Sequence, residues 1–129
     1  MQHRKQAMEQ IERTVKWNAV RGNTPDTLNW ALEIDMLQEE LNELKDAVAA
    51  TSEVDAFDAL IDLKFVLTGT LGKMSLKPEQ IVDGYEAVIL ANEMKGTQRS
   101  AEGKIIKPEG WEQYKPEPTL QAILDKRTM

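Results

Sequence analysis

Apolar residues recur at intervals of three and four along most of the chain, a period that predicts helices separated by short breaks. Met8, Ile11, Val15 and Ala19 hold that spacing over residues 1 to about 20, with Trp17 on a flank. Arg21-Gly22-Asn23-Thr24-Pro25 interrupts it, because Gly and Asn close helices and Pro disfavours helix in the residue before it. Asp26 or Thr27 is then placed to cap a long second helix, in which Ala31, Ile34, Leu37, Leu41, Leu44 and Val48 carry the period to about Ala50. Thr51 or Ser52 starts a third helix, with Asp55 positioned for a capping-box arrangement. Its apolar seam is Val54, Phe57, Ile61, Phe65 and Thr68, and the helix is expected to fade at Gly69-Thr70-Leu71-Gly72. Gly69 lies in line with Asp62, where the missing side chain lets a backbone or a ligand approach. Pro78 suits the first turn of a fourth helix, which carries Ile81, Val82, Tyr85, Val88, Ile89 and Met94 and ends at Gly96.

No segment of useful length shows the strand period, and no internal repeat is present. Four helices with short connections predict an all-α four-helix bundle with an irregular C-terminal tail. The expected organisation is one domain over residues 1–129, with a helical core to about residue 96 and a basic loop and tail from 97 onward. In that tail, turn formers alternate with Lys95, Arg99, Lys104 and Lys107, which suits either a solvated tail or a flexible basic loop closing over phosphates. Trp111 and Tyr114 imply that part of it packs down. Pro116 and Pro118 lead into a short helix expected over Leu120 to Leu124.

Composition narrows the function. The chain of 129 residues is 41% hydrophobic and 29% charged, which is a globular balance, and its formal charge of −6 argues against a surface for a nucleic acid polymer. No cysteine is present, which removes thiolate chemistry and zinc–sulfur sites, and the lone His3 near the start is expected on the surface. No apolar run reaches membrane-spanning length and the N-terminus lacks a signal-peptide pattern, so a cytoplasmic protein is expected.

Chemistry is concentrated in two acidic stretches. Glu39-Glu40-Leu41-Asn42-Glu43-Leu44 places Glu40 and Glu43 together on the second helix, and Asp55, Asp58 and Asp62 recur at three and four on the third. Glu40 borders the apolar stripe of its helix, and Glu43 lies further round. At about 100° per residue, Asp58 falls within roughly 60° of the centre of its apolar seam, which predicts a buried carboxylate in need of a partner. Lys64 lies on another part of the helix. Carboxylates at this spacing most often form a solvated face, but two such faces brought together repel unless a cation sits between them. A hard divalent ion, Mg2+ or Mn2+, meets that need and is commonly shared with substrate phosphates. A Ser/Cys–His nucleophile is excluded, the Gly-rich phosphate loop is absent, and a di-iron bundle would need histidines that the helices lack.

The order Glu-Glu-x-x-Glu-Leu, an acidic pair three apart followed by Leu-x-Asp-Leu, then Asn-x-x-Lys and a late Gly-Lys-x-x-Lys-Pro, resembles the all-α nucleoside triphosphate pyrophosphohydrolases. That superfamily includes MazG-like enzymes, dimeric dUTPases and phosphoribosyl-ATP pyrophosphohydrolase. The resemblance spans about Asp26 to Pro118 and is greatest to small phosphoribosyl-ATP pyrophosphohydrolase-like members. It implies hydrolysis of a nucleoside triphosphate between its α and β phosphates. It also implies metal ligands at Glu40, Glu43, Asp55 and Asp58, with Asp62 a further acidic position and Glu39 beside them. Glu40 or Glu43 would accept the proton of the attacking water, while Asn92, Lys95, Lys104 and Lys107 would face the nucleotide. Asp55 stands where the family has the longer Glu, so it is expected to reach a metal through water, and Lys64 stands where an apolar residue is usual. A homodimer or a dimer of dimers is implied, with Trp17, Trp30 or Met36 near the interface or base pocket or else in the core. The competing reading is a non-catalytic helical bundle that binds a nucleotide or a basic protein partner through its acidic faces, indifferent to metal.

Overall fold

The computed structural model describes residues 2–127, all of them helix, turn or irregular chain apart from one isolated antiparallel bridge between Arg99 and Ile105. Met1, included in the first expected helix, lies outside the described residues. The helices are α1 (Gln2–Val20), α2 (Trp30–Ala49), α3 (Glu53–Lys73), α4 (Pro78–Glu93) and α5 (Glu117–Lys126). The chain forms two compact units, Met1–Pro78 and Glu79–Met129.

In the first unit α2 and α3 pack as an antiparallel pair and α1 packs on α3. A 3-10 turn over Pro25–Thr27 separates α1 from α2, closed by the Thr24 amide donating to Thr27 Oγ1 at 3.0 Å. The cap of α2 is therefore neither Asp26 nor Thr27. Asn29 serves instead, its Oδ1 accepting from the Leu32 amide, because the preceding residues are already consumed by the turn. At the end of α2, Thr51 takes a left-handed φ of 55° and the Ser52 amide reaches back to the Ala47 carbonyl, a Schellman closure. Ser52 then caps α3 by accepting from the Asp55 amide at 3.3 Å.

α3 does not fade at its glycines but continues to Lys73. A Cβ on Gly69 would lie 2.8 Å from Asn18 Nδ2, and one on Gly72 would lie 3.0 Å from the Val15 side chain. These glycines are where α1 and α3 approach most closely, so the helix keeps its geometry and gives up side chains instead.

The inner face of the α2–α3 pair is not the apolar stripe that the period picks out. On α2 the residues turned inward are Glu33, Leu37, Glu40, Leu44 and Ala47, whereas Ile34, Leu41 and Val48 are exposed. On α3 the inward residues are Ala59, Asp62, Leu63, Val66, Thr70 and Lys73, whereas Val54, Phe57, Leu60 and Ile61 are 49–72% exposed. Of the α3 seam, Phe65 meets Trp17 of α1, edge to face at 5.2 Å, and Thr68 is buried.

The second unit is built on α4 and Trp111. This indole is 6% exposed, and its Nε1–H donates to the Ala91 carbonyl of α4 at 2.9 Å. Residues 98–106 fold back on themselves, with the Ile106 amide donating to the Gln98 carbonyl and the Ser100 amide to the Lys104 carbonyl, so the basic segment forms a hydrogen-bonded turn. The last helix is longer than Leu120–Leu124, since Glu117 and Pro118 form its first turn.

Candidate functional site

The two acidic stretches meet on the inner face of α2 and α3. One carboxylate oxygen from each of Glu40, Glu43 and Asp62 lies within 4.8 Å of the others. Seven residues separate Glu33 from Glu40 and three more lead to Glu43, so all three project from one flank of α2 toward α3.

Glu40 is half-buried, and its Oε2 is enclosed without a hydrogen-bond partner among the described residues. Its pKa is pushed up from 4.5 to about 7, first by burial, then by the carboxyl of Glu43 beside it and by the charges of Asp62 and Asp58. Asp62 is raised as well, by burial and then by Asp58 and Glu43. Asp58 thus belongs to the cluster electrostatically, but it is exposed. The expectation that Asp58 is the buried acid is corrected: the seam beside it is uncovered, and the enclosed oxygen within the cluster belongs to Glu40. Asp55 is exposed in the first turn of α3, outside the tight group, with its amide on Ser52. Lys64 is exposed too.

A divalent cation fits these residues. An enclosed carboxyl oxygen with no hydrogen-bond partner among the described residues, beside two further carboxylates, offers oxygen ligands of the kind such an ion takes. A point between three atoms up to 4.8 Å apart lies within about 2.8 Å of each, and side-chain rotation of under an ångström brings them to the roughly 2.1 Å of a Mg2+–oxygen bond.

The other sequence-selected residues lie in the second unit. Asn92 is exposed and its Nδ2 donates to the Val88 carbonyl at 2.8 Å, leaving the side-chain carbonyl free to accept. The Nζ atoms of Lys95 and Lys107 sit 5.2 and 4.8 Å from the centre of the Trp111 ring. Lys104 is exposed in the bridged turn. Of the three side chains considered for a pocket or interface, Trp17 stacks under Arg21 and touches Phe65, Trp30 is half exposed at the start of α2, and Met36 is half-buried.

The family model for phosphoribosyl-ATP pyrophosphohydrolase matches residues 5–87. That span covers well over half of the chain and includes every carboxylate of the cluster. The chain belongs to the phosphoribosyl-ATP pyrophosphohydrolase family. The family's reaction class is hydrolysis of a phosphoric anhydride in a nucleotide, and the all-helical fold agrees with it. The match ends before Asn92, Lys95, Lys104 and Lys107, so the phosphoribosyl-ATP pyrophosphohydrolase match covers the acidic site and not the basic residues. No curated protein and no solved structure matches the chain. No helix among the described residues is long and apolar enough to cross a membrane.

Sequence reasoning missed Glu33, Thr70 and Lys73, which form a buried group on the same two helices. Glu33 Oε2 accepts from Lys73 Nζ and Oε1 from Thr70 Oγ1, each at 2.8 Å, with Glu33 1% exposed. The available signal was a glutamate two turns before Glu40 in the same helical register.

Proposed function

We propose that the protein is a Mg2+-dependent pyrophosphohydrolase that cleaves a nucleoside triphosphate between its α and β phosphates, giving a nucleoside monophosphate and pyrophosphate. The observation that carries this reading is the enclosed, partnerless oxygen of Glu40 beside Glu43 and Asp62. Glu40, Glu43 and Asp62 would hold the ion, with Asp58 and, further out, Asp55 as the remaining candidate ligands. Bound Mg2+, or Mn2+ in its place, supplies charge neutralisation for the phosphate oxygens and lowers the pKa of a coordinated water. Glu43, the more exposed of the two glutamates, accepts the proton of the attacking water, while Glu40 anchors the ion. The water oxygen bonds to the α phosphorus as the bond from that phosphorus to the bridging oxygen breaks, and the electron pair leaves with pyrophosphate. Asn92 binds the nucleotide, and Lys95, Lys104 and Lys107 offset the charge developing on the leaving group.

The working form is a homodimer or a dimer of dimers in the cytoplasm. The exposed row Val54, Phe57, Leu60 and Ile61 is the apolar surface that a second copy would cover.

Pyrophosphate release from a panel of nucleoside triphosphates and phosphoribosyl-ATP tests the reaction. The parent should release pyrophosphate and monophosphate only with Mg2+ or Mn2+, and Glu40→Gln and Asp58→Asn should lose at least about a hundredfold of that rate. A parent silent on every compound and indifferent to metal would remove the enzyme reading and leave the acidic faces as a docking surface for a basic protein.

A further inference from the structure

Among the described residues, the side-chain hydrogen bonds between α2 and α3 sit at the end of the pair away from their connection. Glu33 spans two partners on α3, Thr70 and Lys73, and all three side chains are more than nine-tenths buried. At the other end the helices are tied by their three-residue connection, in which the Ser52 amide bonds to the Ala47 carbonyl and Ser52 caps α3, with Ala47 and Ala59 closing the inner face. Replacing a buried ion pair by apolar residues of similar size is often neutral or stabilising, so stability alone does not explain this one.

We propose that Glu33, Thr70 and Lys73 are positioning residues that pin the end of the α2–α3 pair away from its connection, hold α2 in register against α3, and thereby assemble the metal-binding carboxylates. From Glu33 to Glu40 is seven residues, about 10 Å along α2, and from Thr70 back to Asp62 is eight residues, about 12 Å along α3. The helices are antiparallel, so the two paths run in the same direction and end side by side, where Glu40, Glu43 and Asp62 converge within 4.8 Å. With one end held by the connection, the freedom left to α2 is rotation about its axis and splaying at the far end, and a rotation by one residue, about 100°, turns Glu40 away from that cluster. Two 2.8 Å hydrogen bonds to one enclosed carboxylate at the far end oppose both motions.

This inference rests on the metal-binding part of the proposed function and is tested on metal binding rather than turnover. Mg2+ and Mn2+ titrations of the full-length chain, followed by calorimetry and by thermal shift, compare the parent with Glu33→Leu/Lys73→Met and with Thr70→Val. The apolar double variant should stay helical, with a metal-free melting midpoint within a few degrees of the parent or above it, yet bind Mg2+ at least tenfold more weakly. Thr70→Val, which removes one of the two bonds and keeps the side chain's shape, should weaken binding about threefold. If the double variant does not fold, Thr70→Val decides by the same comparison. Variants that bind Mg2+ as tightly as the parent overturn the register role and leave the metal site standing. A parent that binds no divalent ion overturns both.

Discussion

A carboxyl group that holds its proton to about pH 7 imprints that proton on folding. Glu40 has a folded pKa near 7 against 4.5 for the free side chain, and Asp62 is shifted in the same direction. Between those values the folded chain binds a proton that the unfolded chain has released, so the contribution of Glu40 to metal-free stability is fully present below about pH 4.5 and is lost as pH rises through about 7. Denaturant titrations in a chelator should show that decline, and Glu40→Gln should flatten it. Added Mg2+ must displace the proton, so its stabilising effect should be larger at pH 8 than at pH 6; equal shifts at both would separate Glu40 from the ion. This residue's importance was half legible in the sequence. The Glu-x-x-Glu spacing marked it, but the same spacing reasoning assigned the enclosed position to Asp58, since periodicity reports a face and not what covers it.

At the level of elements, helix existence followed the period closely, and the errors occurred where another helix intervenes. Gly69 and Gly72 read as a stop because glycine weakens an isolated helix, yet α1 presses on α3 there and the packing sustains it to Lys73. The close approach has a measurable cost attached. Gly69→Ala should destabilise the protein by about 1–3 kcal/mol, because its Cβ meets Asn18 Nδ2 at 2.8 Å and that amide is bonded to the Thr14 carbonyl and held beside Asn23. A thermal midpoint unchanged from the parent would show that Asn18 yields without loss. Glu33 left a trace in its register with Glu40, but its pairing with Lys73 was not legible: the two are forty residues apart, and nothing local distinguishes a buried lysine from a solvated one.

For the molecule as a whole, the apolar period is satisfied on only one side of the α2–α3 pair. Ile34, Leu41, Val48, Val54, Phe57, Leu60 and Ile61 all remain exposed, a surface that a stable monomer rarely carries. Light scattering should therefore give two or four times the 14.6 kDa chain mass, with a melting midpoint that rises with protein concentration, and Phe57→Glu should shift the mass toward the monomer. A monomeric parent at micromolar concentration would rule out the shared-surface reading. The sequence carried the stripe but not its vacancy, because exposure depends on which faces the helices turn toward each other.

The indole of Trp111 has one further use. Trp17 and Trp30 are 42% and 52% exposed in the first unit, whereas Trp111 is sealed against α4 in the second. Iodide should extinguish the emission of the first two and spare the third. The quenched spectrum then becomes a private optical readout of residues 79–129, and a melt followed that way beside one followed by helicity would reveal whether the two units come apart together or in turn.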